Sequence, residues 1–146
     1  MIIVDNSMLN GAAADWLGGD RSFAITANGR TFTFSKDGKD IFTGQVTDMS
    51  GLFLNTGFNG DIEYWDVSNV TDMTAMFAEA TSFNQPLADW DVSNVTDMKA
   101  MFFYAESFNQ PLSDWDVSNV TDMRGMFVEA TSFNQPLADW DVSNVT

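Results

Sequence analysis

From residue 46 onward, apolar and polar positions along the chain recur in one fixed order. In Leu87-Ala88-Asp89-Trp90-Asp91-Val92 the apolar residues fall as L-x-x-W-x-V. This is the spacing of a leucine-rich repeat, with Trp in the second slot, and it predicts a strand. Asp91 lies between two inward residues and so points outward, because side chains alternate along a strand. Met98, Met101, Phe102 and Ala105 then stand at i, i+3, i+4 and i+7, which predicts a short helix. Thr96 is placed as its N-cap and Asp97 at the positive end of its dipole. Such a helix, roughly nine residues long, is too short to stand alone, so its Met and Phe stripe must bury against neighbouring units. The segment SFNQP, with Phe108 in this copy, turns the chain back.

The pattern is tandem. WDVSNVTDM occurs at Trp65–Met73, Trp90–Met98 and Trp115–Met123, and WDVSNVT occurs once more from Trp140 to Thr146. Aligned on Val46, Val70, Val95, Val120 and Val145, the units are 24, 25, 25 and 25 residues apart. The expected fold is an α/β solenoid of leucine-rich-repeat-like coils of 25 residues, each a strand plus a short helix, over residues 46–146. Trp65, Trp90, Trp115 and Trp140 are expected in one internal column, and Phe83, Phe108 and Phe133 in another. Thr146 falls at the N-cap position of a further helix, which leaves Trp140 and Val142 on an open edge, so the array is expected to continue or to be covered by a partner.

Residues 1–45 follow another pattern and are expected to form a small β-rich cap. SFAITANGRTFTFS alternates around Asn28-Gly29, a hairpin signal that puts Phe23, Ile25, Phe32 and Phe34 on one face. A turn at Asp37-Gly38 leads to Ile41-Phe42 as a third strand, and Ala12–Leu17 reads as a short helix stopped by Gly18-Gly19.

The text F-N-Q-P-L-x-D-W-D-V-S-N-V-T-D-M-x-x-M-F resembles the short repeat of the BspA-like leucine-rich-repeat surface proteins of bacteria, over about residues 44–146. The resemblance implies a cell-surface or secreted protein for adhesion and partner binding. It brings no catalytic residues with it.

Composition narrows the chemistry. Without Cys or His there is no disulfide, thiol catalysis, Cys-ligated zinc or imidazole base. The formal charge of −15 is uneven, since residues 46–146 hold 16 of the 21 acids and only two of the six bases, Lys99 and Arg124. Such a surface repels phosphate backbones, so no nucleic-acid partner is expected. Apolar runs are too short to span a membrane, and the N-terminal stretch does not read as a signal peptide.

Several repeated groups are candidates. Asp66, Asp91, Asp116 and Asp141 are expected one per coil, either bonding backbone N–H groups as Asx turns, holding calcium in a ladder, or facing a cationic ligand. Apart from calcium, no cofactor is expected. Asn69, Asn94, Asn119 and Asn144 each begin an N-x-T glycosylation sequon, although glycans on every coil would collide. Carboxylates in pairs suit a glycosidase, but catalytic centres are singular while every candidate here is repeated, so no enzyme is expected.

The most informative positions are those that differ between copies: Thr74/Lys99/Arg124, Ala78/Phe103/Val128 and Glu79/Tyr104/Glu129. From these, Lys99, Phe103, Tyr104, Arg124 and Val128 are the candidate partner-binding residues. The expected function is a non-enzymatic interaction or adhesion module, presenting an acidic repetitive face to a protein or glycan on a cell or virion surface. The alternative is an assembly component, such as a virion decoration or tail-fibre protein. A polysaccharide-acting enzyme is the remote alternative.

Overall fold

The computed structural model describes residues 2–10, 24–27, 30–33 and 41–146. Near the N-terminus, β1 (Ile2–Ile3) pairs in parallel with β4 (Ile41–Phe42). Between them in sequence, β2 (Ala24–Ala27) and β3 (Arg30–Thr33) pair antiparallel, with Ile25 opposite Phe32. Ile41-Phe42 is therefore the partner of β1 and not a third strand of this hairpin. The expected helix at Ala12–Leu17, the turn at Asn28-Gly29, the turn at Asp37-Gly38, and Phe23 and Phe34 lie outside the described residues. Residues 6–10 are helical instead. Asp5 starts them, its Oδ1 accepting the N–H of Met8 at 3.0 Å.

The strand-plus-helix solenoid is overturned. From residue 43 to 146 there is neither a helix nor a strand, only successive turns and single-residue parallel bridges that link Asp48, Asp72, Asp97 and Asp122. The leucine-rich-repeat strand fails first. Trp90 N–H closes a turn onto the Leu87 carbonyl at 3.1 Å, and Val95 N–H closes another onto Val92 at 2.9 Å, so the chain is never extended there.

The helix fails because its amides are divided between two partners. The N–H groups of Met98, Ala100, Phe102 and Tyr104 cross to the carbonyls of Asp122, Arg124, Met126 and Val128 in the next unit, at 2.8–2.9 Å. The N–H groups of Met101, Phe103 and Ala105 bond back three residues, onto Met98, Ala100 and Phe102. An α-helix would send every one of them four residues back. The same alternation holds at 73–80 and begins at 49–54. Left-handed residues punctuate it: Ala100 (φ 54°) and Tyr104 (φ 53°) here, and Ala75 (φ 53°) and Glu79 (φ 58°) one unit earlier. The cap role given to Thr96 fails with the helix. Its amide and hydroxyl both bond the Thr71 carbonyl of the preceding unit, at 2.9 and 3.2 Å.

What results is a stack of turn-built coils in register. Two Phe columns fill its core. Phe77, Phe102 and Phe127 follow Phe53 at 5.5–5.6 Å between ring centroids, and Phe83, Phe108 and Phe133 follow Phe58 at 5.9–6.1 Å. Within each coil the two rings lie 3.9–4.2 Å apart. Trp65, Trp90 and Trp115 are buried alongside. The indole N–H groups of Trp90, Trp115 and Trp140 each bond a carbonyl of the preceding coil, on Ile62, Leu87 and Leu112, at 2.9–3.1 Å.

Polar side chains repeat the same register. Asn94, Asn119 and Asn144 each donate Nδ2 to a Ser carbonyl one coil back at 2.7 Å. Asn84 and Asn109 each accept the N–H of the equivalent Asn one coil on, at 2.9–3.0 Å. At the first coil, where no preceding repeat supplies a carbonyl, Asn6 Oδ1 accepts the Thr47 N–H at 2.9 Å. With Val4 and Leu9 buried in the same core, the N-terminal segment packs against this end of the stack.

Candidate functional site

Where copies are identical, the residues make the core or the hydrogen-bonded ladders. Where copies differ along the turn run, the backbone still joins the inter-coil ladder, but several of the side chains reach solvent. Leu54, Ala78, Phe103 and Val128 occupy one such column, followed at once by Asn55, Glu79, Tyr104 and Glu129. Leu54, Tyr104 and Val128, three of the large exposed apolar side chains, belong to these two columns and are 42%, 41% and 46% exposed.

A cleft of about 520 Å³ opens here, lined by Asn55, Glu79, Thr81, Phe103 and Tyr104, from three successive coils. The αL backbone of Asn55, Glu79 and Tyr104 sets the direction in which these side chains leave the turn. Phe103 and Tyr104 pack with ring centroids 4.6 Å apart, tilted by 58°. Five side chains were candidates for partner binding. The structure brings Phe103 and Tyr104 together in the cleft, while Val128 is exposed beyond its lining.

Lys99 and Arg124 sit at the other end of the turn run. Arg124 Nε bonds both carboxylate oxygens of Asp122 at 3.0 Å. The Arg124 side chain, then its N–H, holds the Asp122 carboxyl down at about 2, with a further contribution from Lys99. Sequence reasoning left Asn55, Glu79 and Thr81 out of the site. Only the variability of the Glu79 column pointed to any of them, because the cleft joins coils and no single repeat spells it.

The aspartates of the WDVS segment form Asx turns. Asp66, Asp91 and Asp116 each accept the N–H of the Ser two residues on at 3.1 Å and its hydroxyl at 2.6 Å, and Asp141 accepts the Ser143 N–H at 3.0 Å. Among the described residues no group of three or more acidic side chains gathers as a metal cage. The sequon Asn side chains donate their amides to the preceding coil, as above.

These turns give a pH dependence. The Ser118 hydroxyl, then its N–H, lowers the Asp116 carboxyl, and Ser143 does the same for Asp141. With Asp122, these are groups whose folded pKa lies below the unfolded one, so unfolding takes up protons. Their contribution is present above the unfolded carboxylate range and is lost as pH falls through the lowered folded values, about 2 in the case of Asp122. The melting temperature is expected to drop from about pH 5 to about pH 2, with a shallower drop in Asp122→Asn. A melting temperature that rises on acidification would show that relief of repulsion among the acids governs instead.

The family model described as "Mycoplasma protein of unknown function, DUF285" matches residues 24–140, most of the chain. The chain belongs to this family. The DUF285 match takes in β2 and β3 as well as the stacked coils. Neither the curated proteins nor the solved structures hold a match to the chain. Among the described residues of this DUF285 chain, no helix is long and apolar enough to cross a membrane.

Proposed function

We propose that the stack is a non-enzymatic binding module, a rigid support for a variable face that engages a partner on a cell or virion surface. One observation carries this reading: the cleft opens where units that are otherwise nearly identical diverge. Repetition fixes the core columns and ladders, because one altered residue there disturbs two neighbours. The exposed side chains of the variable columns, Leu54, Tyr104 and Val128, are free of that constraint, and they are aromatic and apolar groups of the kind a partner contact uses. Membership of DUF285 and the resemblance of the repeat to BspA-like surface proteins are compatible with a surface role.

The test uses a variant that keeps the fold. Phe103→Ala with Tyr104→Glu rewrites this coil as the one before it, which carries Ala78 and Glu79 at the same backbone positions. Immobilised protein is expected to retain a ligand from a panel of cell-surface glycans and purified extracellular-matrix proteins, and the double variant is expected to lose it. Absence of any ligand, or undiminished binding by the double variant, would overturn the proposal.

A further inference from the structure

The chemistry of the cleft specifies a kind of ligand. Its walls combine an aromatic pair with an acid: the 41%-exposed Tyr104 ring against half-buried Phe103, and Glu79 from the preceding coil. Tyr104 and Glu79 share one backbone position on adjacent coils, which are joined there by the Glu79 N–H bond to the Phe103 carbonyl at 2.7 Å. Among the described residues no cation lines the cleft. The two cations among residues 46–146, Lys99 and Arg124, both act on Asp122 at the far end of the turn run. Residues 46–146 as a whole carry 16 acids against those two bases.

An aromatic face attracts a cation through its quadrupole, and a carboxylate pairs with it. Arginine satisfies both at once, because its planar guanidinium stacks on a ring while its edge donates to a carboxylate. We propose that the cleft receives an arginine side chain from a partner protein, stacked on Tyr104 and paired with Glu79. This rests on the binding role proposed above. Asn55 and Thr81, also in the lining, supply oxygen acceptors for the remaining guanidinium N–H groups. A glycan could also stack on Tyr104, but a neutral sugar would gain no ion pair with the exposed Glu79.

The test is an NMR titration of the full chain with acetyl-Gly-Arg-Gly-amide, its uncharged citrulline isostere and neutral oligosaccharides. The arginine peptide is expected to shift the Tyr104 ring and Glu79 side-chain signals. The citrulline peptide, and Glu79→Gln with the arginine peptide, are expected to bind at least about five-fold more weakly. Tyr104→Asn, which copies Asn55 at the same left-handed position, is expected to abolish the shifts while leaving the melting temperature unchanged. Asp89→Asn, an exposed acid outside the cleft, is expected to change little. Equal binding of the citrulline peptide, or equal weakening by Asp89→Asn and Glu79→Gln, would overturn the proposal. Saturation of the cleft by an oligosaccharide but not by the arginine peptide would overturn it too, while leaving the binding role intact.

Discussion

Phe102→Ala is expected to lower the stability of the protein by about 3–5 kcal/mol, as a large-to-small change at a site that cannot collapse. The ring is fully buried. Phe77 and Phe127 lie nearly parallel to it in the adjoining coils at 5.5 and 5.6 Å between centroids, and Phe108 stacks at 4.1 Å in the same coil. These neighbours are held by their own coils through the inter-coil amide bonds, so they cannot slide in to fill the space. Phe127→Ala is expected to cost less, because Phe127 is only partly buried. Urea titrations followed by tryptophan fluorescence check both. A loss below about 1 kcal/mol for Phe102→Ala would mean that the ring column is not the core.

The second large effect is at Ala100, where two substitutions are expected to move stability in opposite directions. At φ 54° the alanine Cβ is crowded, a cost of roughly 1–2 kcal/mol for an L-residue in the left-handed region. Glycine removes that cost and adds about 0.5–1 kcal/mol of chain entropy, so Ala100→Gly is expected to stabilise by up to about 1 kcal/mol. Gly51 (φ 61°) and Gly125 (φ 68°) already occupy the equivalent place in other coils. Ala100→Val, β-branched in a region such residues avoid, is expected to destabilise by about 1–3 kcal/mol. Both variants keep the amide that bonds the Arg124 carbonyl at 2.9 Å. The difference between their thermal melts therefore isolates the backbone conformation. If the two melts coincide, Ala100 is not left-handed in solution.

Much of the packing was legible in the sequence. Equivalent residues one period apart had to superimpose, and the Trp positions and the Phe83–Phe108–Phe133 column follow from that alone. The Asx turns at Asp66, Asp91 and Asp116 were likewise written into the D-x-S spacing. The secondary structure was misread for a specific reason. Met98, Met101, Phe102 and Ala105 all face inward, as a helical stripe would, and all four are fully buried. Overlapping turns, with a left-handed residue at Ala100 and again at Tyr104, bring these positions to one side as a helix does. Periodicity reports which side chains share a face and is silent about where the amides go.

The site was legible in a weaker sense. Differences between copies pointed to Phe103 and Tyr104, but also to Arg124, which the structure commits to Asp122, and to Lys99, which lies outside the cleft lining. Asn55, Glu79 and Thr81 join the cleft only because three coils stack with a particular offset.

The sequence by itself determined the period and the Trp and Phe positions that repeat in register, since exact repetition leaves one way to align them. The side chains that bond from coil to coil, Asn94, Asn119 and Asn144 among them, emerged only with the structure. Tertiary structure decided the backbone. An amide at Met98, Ala100, Phe102 or Tyr104 can bond within its own coil or to the next, and only a neighbouring coil at hydrogen-bonding distance offers the second choice. Once that neighbour is present, alternate amides turn outward to it, the helix is lost, and two of the residues that turn outward, Ala100 and Tyr104, take the left-handed conformation in the turns from which the cleft is built.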